Sequence, residues 1–296
     1  MAKRRIRLTT LVGTVSLATM GLAPLLIAGP ASAAERVASA SVIGNNGRHY
    51  QLDYDGGEGH DNNVALTLAE SADQSAFIYT IDDVVTILAG ENCVYPVPAD
   101  HTKVSCSIEN VPDHSSITSP TALIGMGSGN DTVTFTNLDG TKIGNSISLG
   151  EGANTYTSGD PSSYNGVYVN SQSGVDTFTL GTGDFIDSGA GNDVITLAGG
   201  AAEVHANAGN DVITGGAGDD KLYGGLGDDT VSGNDGNDYI SGEQGNDTLY
   251  GGRGDDTIYG NSGDDVIYGN SGDDWLSGGP GTDTISGGTG TNTILD

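Results

Sequence analysis

From Ala206 to Leu295 a large aliphatic side chain recurs every nine residues: Ile213, Leu222, Val231, Ile240, Leu249, Ile258, Ile267, Leu276, Ile285 and Ile294. Each is flanked mostly by Thr, Ser, Tyr or Val, so the triplet reads as a short strand whose middle side chain points one way and whose neighbours point the other. The six residues between strands are rich in Gly, Asn and Asp, which suits a tight turn. Turn, strand, turn, strand makes one coil of 18 residues. Stacked coils give two parallel sheets with the aliphatic row between them, residues 18 apart lying one strand spacing, about 4.8 Å, from each other. The pattern therefore predicts an all-β fold, a parallel β-roll or β-solenoid, and no long amphipathic helix.

The phase is strict. The ten nonapeptides run without gaps from ANAGNDVIT to GGTGTNTIL, with Gly at the fourth position in all ten and Asp at the sixth in nine, Asn292 being the exception. An acidic, solvated surface would satisfy composition but not this register. The repeat extends back to SGAGNDVIT at 188–196, and across LAGGAAEVH (197–205) Ala202 stands where Asp is expected. Looser echoes precede it: GGEGHD (56–61), GSGNDTVT (127–134) with Asp131, LGEGANTYT (149–157) with Asn154, and GVDTFTLGTGDFID (174–187) with Asp176 and Asp184. NVALTLAE (63–70) and FIYTIDDVVTIL (77–88) alternate like strands. The expected organisation is an export signal at 1–33, a β-rich region at 34–120, an irregular solenoid at 121–187 and a regular roll at 188–296.

Composition narrows the class. Gly is 49 of 296 residues, too many for a helical bundle. Disorder and collagen are the simpler alternatives, but collagen needs Gly at every third residue with abundant Pro, and there are 8 Pro. The net charge is −29. Residues 1–33 hold Lys3, Arg4, Arg5 and Arg7 and no acid, so their removal would take the charge to −33. Such a surface repels nucleic acid and anionic lipid and attracts cations.

The basic start, the apolar stretch from about Leu8 to Ala28 and the Ala31-Ser32-Ala33 site read as a cleaved signal peptide, so the expected location is secreted, with no membrane span in the mature chain. Arg4-Arg5 hints at a twin-arginine route, but the unfolded-chain route is expected. Cys93 and Cys106, an even pair in an exported chain, suggest one disulfide.

Residues 18 apart stack, so the sixth-position aspartates form two rows. Asp193, Asp211, Asp229, Asp247, Asp265 and Asp283 line one edge; Asp220, Asp238, Asp256 and Asp274 line the other, ending at Asn292. Carboxylates about 5 Å apart repel by about 3 kcal/mol at an effective dielectric of 20. A cation between them relieves this. Carboxylate and carbonyl oxygens in a flexible turn suit Ca2+, while Mg2+ demands tighter geometry and Zn2+ prefers His and Cys. One buried aliphatic per repeat contributes about 1.5–3 kcal/mol, against about 9–18 kcal/mol for ordering nine backbone residues. Metal binding is then expected to be part of folding.

These nonapeptides resemble the RTX, or haemolysin-type, calcium-binding repeat G-G-x-G-x-D-x-U-x. The resemblance implies that turn carbonyls and sixth-position aspartates of two turns, one coil apart, share each of several calcium ions. It implies a gap at Ala202 and a weaker last site or a cap at Asn292. The layout is also similar to small exported calcium-binding proteins of Gram-positive actinobacteria, on the cysteine pair and the GSGND motif.

No H-E-x-x-H helix or G-x-S-x-G elbow occurs, and His49, His60, His101, His114 and His205 are scattered. The expected protein is therefore not an enzyme but a secreted calcium-binding protein, structural or adhesive at the cell surface. The alternative is an enzyme, such as one acting on polysaccharide, with its site in 34–187. Tyr223, Tyr250, Tyr259 and Tyr268 at the ninth position, and Trp275 at the seventh, are expected to face outward, where they could stack on sugars or pack along the sheet.

Overall fold

The computed structural model describes residues 37–45, 49–74, 76–109, 122–138, 144–160 and 166–295. The signal-peptide reading of 1–33 lies outside the described residues, as does part of the 34–120 region. Among the described residues there is no helix, and none that is long and apolar enough to cross a membrane.

Residues 36–296 form one compact unit. Two sheets of 13 strands face each other, and from Ala122 onward the chain visits them alternately. In the repeats every strand pairs in parallel with the strand 18 residues later: Ile213 with Val231, Val231 with Leu249, Leu249 with Ile267 on one sheet, and Leu222 with Ile240, Ile240 with Ile258 on the other. The middle residue of each triplet from Ile213 to Leu276 is buried, as the pattern requires, Ile285 is half-buried and Ile294 at the last coil is exposed; the buried aliphatics make up most of the core of the regular roll. The parallel β-roll is thus the observed fold.

Before the repeats the same coil continues with uneven lengths. Strand His49–Asp55 pairs with Ala122–Gly125, and Asn63–Glu70 with Thr132–Asn137, so coils distant in sequence stack as neighbours. Here the core is wider, filled by Tyr54, Tyr79, Phe135, Tyr156 and Phe178. The regions expected at 34–120, 121–187 and 188–296 therefore differ in coil regularity while both sheets run through them without a break.

The first end of the stack is closed by antiparallel strands. Val37–Asn45 covers one sheet, and Ala76–Asp82 followed by Lys103–Glu109 covers the other. The outermost strands at that end are short, Thr86–Ala89 on one sheet and Cys93–Val94 on the other, which limits the edge open to further pairing. Cys93 and Cys106 form the expected disulfide, between neighbouring strands of this cap.

Candidate metal centre

The turns along each edge are built by three positions of the repeat. Gly227, at the fourth position, has φ of +124°, and a Cβ there would lie 2.0 Å from the Gly209 carbonyl oxygen of the preceding coil. Only glycine permits both that conformation and that approach. The first-position glycine is needed for a different reason. A Cβ on Gly224, Gly233, Gly242, Gly251, Gly260, Gly269 or Gly278 would fall 2.1–2.4 Å from the Oδ2 of the aspartate five residues later. The sixth position supplies that aspartate.

Each sixth-position side chain reaches back one coil. The Asp211 N–H donates to Asp229 Oδ1 at 2.8 Å, Asp229 to Asp247 at 2.9 Å, Asp247 to Asp265 at 2.9 Å and Asp265 to Asp283 at 2.9 Å. The other edge repeats this from Ala202 through Asp220, Asp238, Asp256 and Asp274 to Asn292, at 2.8–3.0 Å. The first row extends further than the repeats do. Asn62, Asp131, Asn154, Asp176 and Asp193 continue it towards the cap through the same bond, at 2.6–2.9 Å.

The second carboxylate oxygen decides the chemistry. Oδ2 of Asp193, Asp211, Asp229, Asp238, Asp247, Asp256, Asp265, Asp274 and Asp283 is buried and has no hydrogen-bond partner, and the same holds for Asp131 and Asp176. Ser171 and Ser188 lie near Asp176 and Asp193, but their hydroxyls donate to the Gly150 and Ala206 carbonyls. A buried unpaired carboxylate oxygen costs several kcal/mol, and an ionised row of them is stable only with a positive partner.

A carbonyl faces the same space. The point 2.4 Å from Asp229 Oδ2 where a Gly224 Cβ would sit is also 2.9 Å from the Gly242 carbonyl oxygen, and at Gly233 the corresponding oxygens are Asp238 Oδ2 and Gly251 O. Among the described residues no three His, Cys, Asp or Glu side chains gather at one point. A cation here must therefore complete its shell with backbone oxygens, which fits calcium, a hard ion that takes six to eight oxygens from carboxylates and carbonyls.

Asp220 departs from the expected set. Its Oδ2 accepts the Gly216 N–H at 3.0 Å, so it has no orphan oxygen. The neighbouring rung is Ala202, which brings no carboxylate, and the turn has closed on itself where the sequence leaves a gap. Asp184, on the same edge, is likewise closed by the N–H groups of Val167 and Gly181.

Asn62 and Asn154 show the neutral form of the rung. The Asn62 Nδ2 donates to the Met126 carbonyl of the next coil at 3.2 Å, and the Asn154 Nδ2 donates to Ser171 Oγ, also on the next coil, at 3.2 Å. An amide there makes directly the link between coils that a carboxylate cannot make without a cation.

The fifth position carries a ladder that the sequence reading did not find. Asn210, Asp228, Asn246 and Asp264 accept N–H bonds from the fifth-position residue one coil later, at 2.8–3.1 Å. Asp219, Asn237, Asp255 and Asp273 do the same on the other edge. The near-exclusive use of Asn and Asp at that position was the available signal.

The outward aromatic rings stack on one another. Tyr168, Phe185, His205, Tyr223, Tyr239 and Tyr259 form a continuous row with ring centroids 4.5–5.7 Å apart, and Tyr250 stacks on Tyr268 at 5.2 Å. Their faces are thereby largely occupied, which favours packing along the sheet over sugar stacking.

Burial raises the carboxyls of Asp193, Asp211, Asp238 and Asp247 to about 6, and those of Asp229 and Asp256 to about 7, the backbone N–H bonds opposing the shift. A folded-state value above the unfolded one means that these groups favour the metal-free fold below about pH 4. That contribution is lost as pH rises through 6–7. With calcium removed, the β-structure of the repeats is accordingly expected to be greater at pH 5 than at pH 8, measured by circular dichroism. Equal spectra at the two pH values would contradict the assignment of these carboxyls as the groups that open the roll.

The segments 171–202, 198–231, 223–258, 232–267 and 259–294 each match the family model of the RTX calcium-binding nonapeptide repeat. No curated protein matches the chain. With the stacked Gly-Asp turns and their paired sheets, the match identifies residues 171–294 as a run of RTX calcium-binding nonapeptide repeats.

Proposed function

We propose that this is an exported, non-enzymatic calcium-binding protein whose repeats fold as they bind several ions, and that the folded roll serves as a structural or adhesive element at the cell surface. The row of buried, unpartnered Oδ2 atoms carries the reading. The acidic surface and the disulfide support a location outside the cell, where calcium is abundant and thiols are oxidised. The ten ligands assigned from the sequence are retained except Asp220, whose second oxygen is already bonded. Adhesion would involve surface polysaccharide. Trp275, 43 % exposed and with no ring stacked on it among the described residues, offers the free aromatic face for such contact.

Calorimetric titration tests the ion. Calcium is expected to bind at several sites per chain in the millimolar range or tighter, with magnesium at the same concentration giving little heat. Equal responses to the two metals would remove the case for calcium-selective turns.

A further inference from the structure

The unpartnered carboxylate row does not stop where the RTX repeats begin. Asp131 lies outside the matched residues 171–294, in a coil whose partner turn, at Gly56–Asn62, is 69 residues earlier. Its Oδ1 accepts the backbone N–H and the side-chain Nδ2 of Asn62, both at 2.8 Å. Its Oδ2 has no partner, and the residue is 1 % exposed. Asn62, 2 % exposed, also has an unpartnered oxygen, its Oδ1.

The turn around Asp131 stacks as the repeat turns do. A Cβ on Gly150 would lie 1.6 Å from the Gly127 carbonyl oxygen and one on Gly152 would lie 1.8 Å from that of Gly129. The corresponding figures in the repeats are 1.9 Å for Gly225 against Asn207 O and 2.0 Å for Gly227 against Gly209 O. The local charge is also unbalanced. Asp61 and Asp83 add their negative potential at Asp131, and the ion pairs among the described residues, formed by Lys103, His205, Lys221 and Arg253, involve other acids.

We propose that Asp131 Oδ2 is a ligand of a further calcium-type divalent cation, held between the turn at 127–131 and its neighbours, in a coil that the nonapeptide repeat does not reach. This rests on the calcium reading of the repeats. The site would make the cap-side coils depend on the same kind of ion as the roll, although the spacing there is not 18 residues.

Two measurements on the full mature chain test it. In crystals grown with calcium, an ion is expected 2.3–2.6 Å from Asp131 Oδ2; a water molecule or an amino-acid donor in that place would overturn the proposal. Asp131→Asn keeps the Oδ1 acceptor and removes the second carboxylate oxygen. Bound metal counted by elemental analysis is expected to fall by one ion per chain, and an unchanged count in the folded variant would overturn the proposal. If that variant does not fold, the wild-type crystal decides. A chain that binds no calcium anywhere defeats the broader reading as well, whereas ions in the repeats without one at Asp131 defeat only this one.

Discussion

In calcium-free buffer at pH 8 the roll over residues 188–295 is expected to lose most of its β-structure, and millimolar calcium is expected to restore it. Most of the nonapeptides bury one aliphatic side chain, as with Leu249 or Ile258, while the turn holds a carboxylate oxygen that is buried and unpartnered. The aliphatic gain of about 1.5–3 kcal/mol per repeat does not cover the ordering of nine residues, and the hydrogen bonds between coils are opposed by charge along both edges. Far-UV circular dichroism in chelator and in calcium reads the change directly. Trp275, on the eighth repeat, should shift its emission at the same calcium concentration. The cap, with its disulfide and its aromatic core of Tyr54, Tyr79 and Phe135, is expected to keep its own β signal in chelator. Identical spectra in both buffers would show that the roll stands without metal.

Replacing Asp247 or Asp256 is expected to weaken calcium binding at least tenfold, and replacing Asp283 to weaken it markedly less. An interior aspartate stands between two coils that each bring a carboxylate, whereas Asp283 is the last aspartate of its row. Alanine also leaves the Asp229 or Asp238 N–H without its acceptor, a loss of about 1–3 kcal/mol that has nothing to do with metal. Asn at the same positions separates the two effects, because it keeps an Oδ1. Calorimetric titration of the Asn variants should retain the order, interior above terminal. Equal losses at Asp247 and Asp283 would contradict ligation shared between coils.

The roll was legible in the sequence because every position of the repeat is under a separate constraint. The aliphatic must be buried, the fourth residue must tolerate a positive φ beside a carbonyl, and the sixth must place a carboxylate. The two rows of sixth-position carboxylates followed from the 18-residue coil. Asn62 was not legible as a member of the same row. Its turn, from Gly56 to Asn62, is one residue longer than a repeat turn, and the next rung, Asp131, lies 69 residues away, a separation set by the intervening cap strands rather than by any period. Nor could spacing reveal that Asp220 had turned its second oxygen to Gly216, since that depends on what the Ala202 rung fails to supply. The antiparallel strands of the cap alternate like any strand, and that alternation does not specify the direction in which they pair.

The closed end of the stack makes the molecule resemble a seeded crystal. Starting a new pair of parallel strands from coil is slow, because loop entropy is spent before any contact is gained. Here the antiparallel cap presents two ready edges, His49–Asp55 and Asn63–Glu70, and the nearby amide rungs at Asn62 and Asn154 link neighbouring coils without needing an ion at those links. Every later half-coil adds to an existing edge, as in a one-dimensional lattice with nearest-neighbour coupling. Growth is therefore expected to run from the disulfide-bonded end outward, in an order set by the architecture more than by the affinity of any single turn.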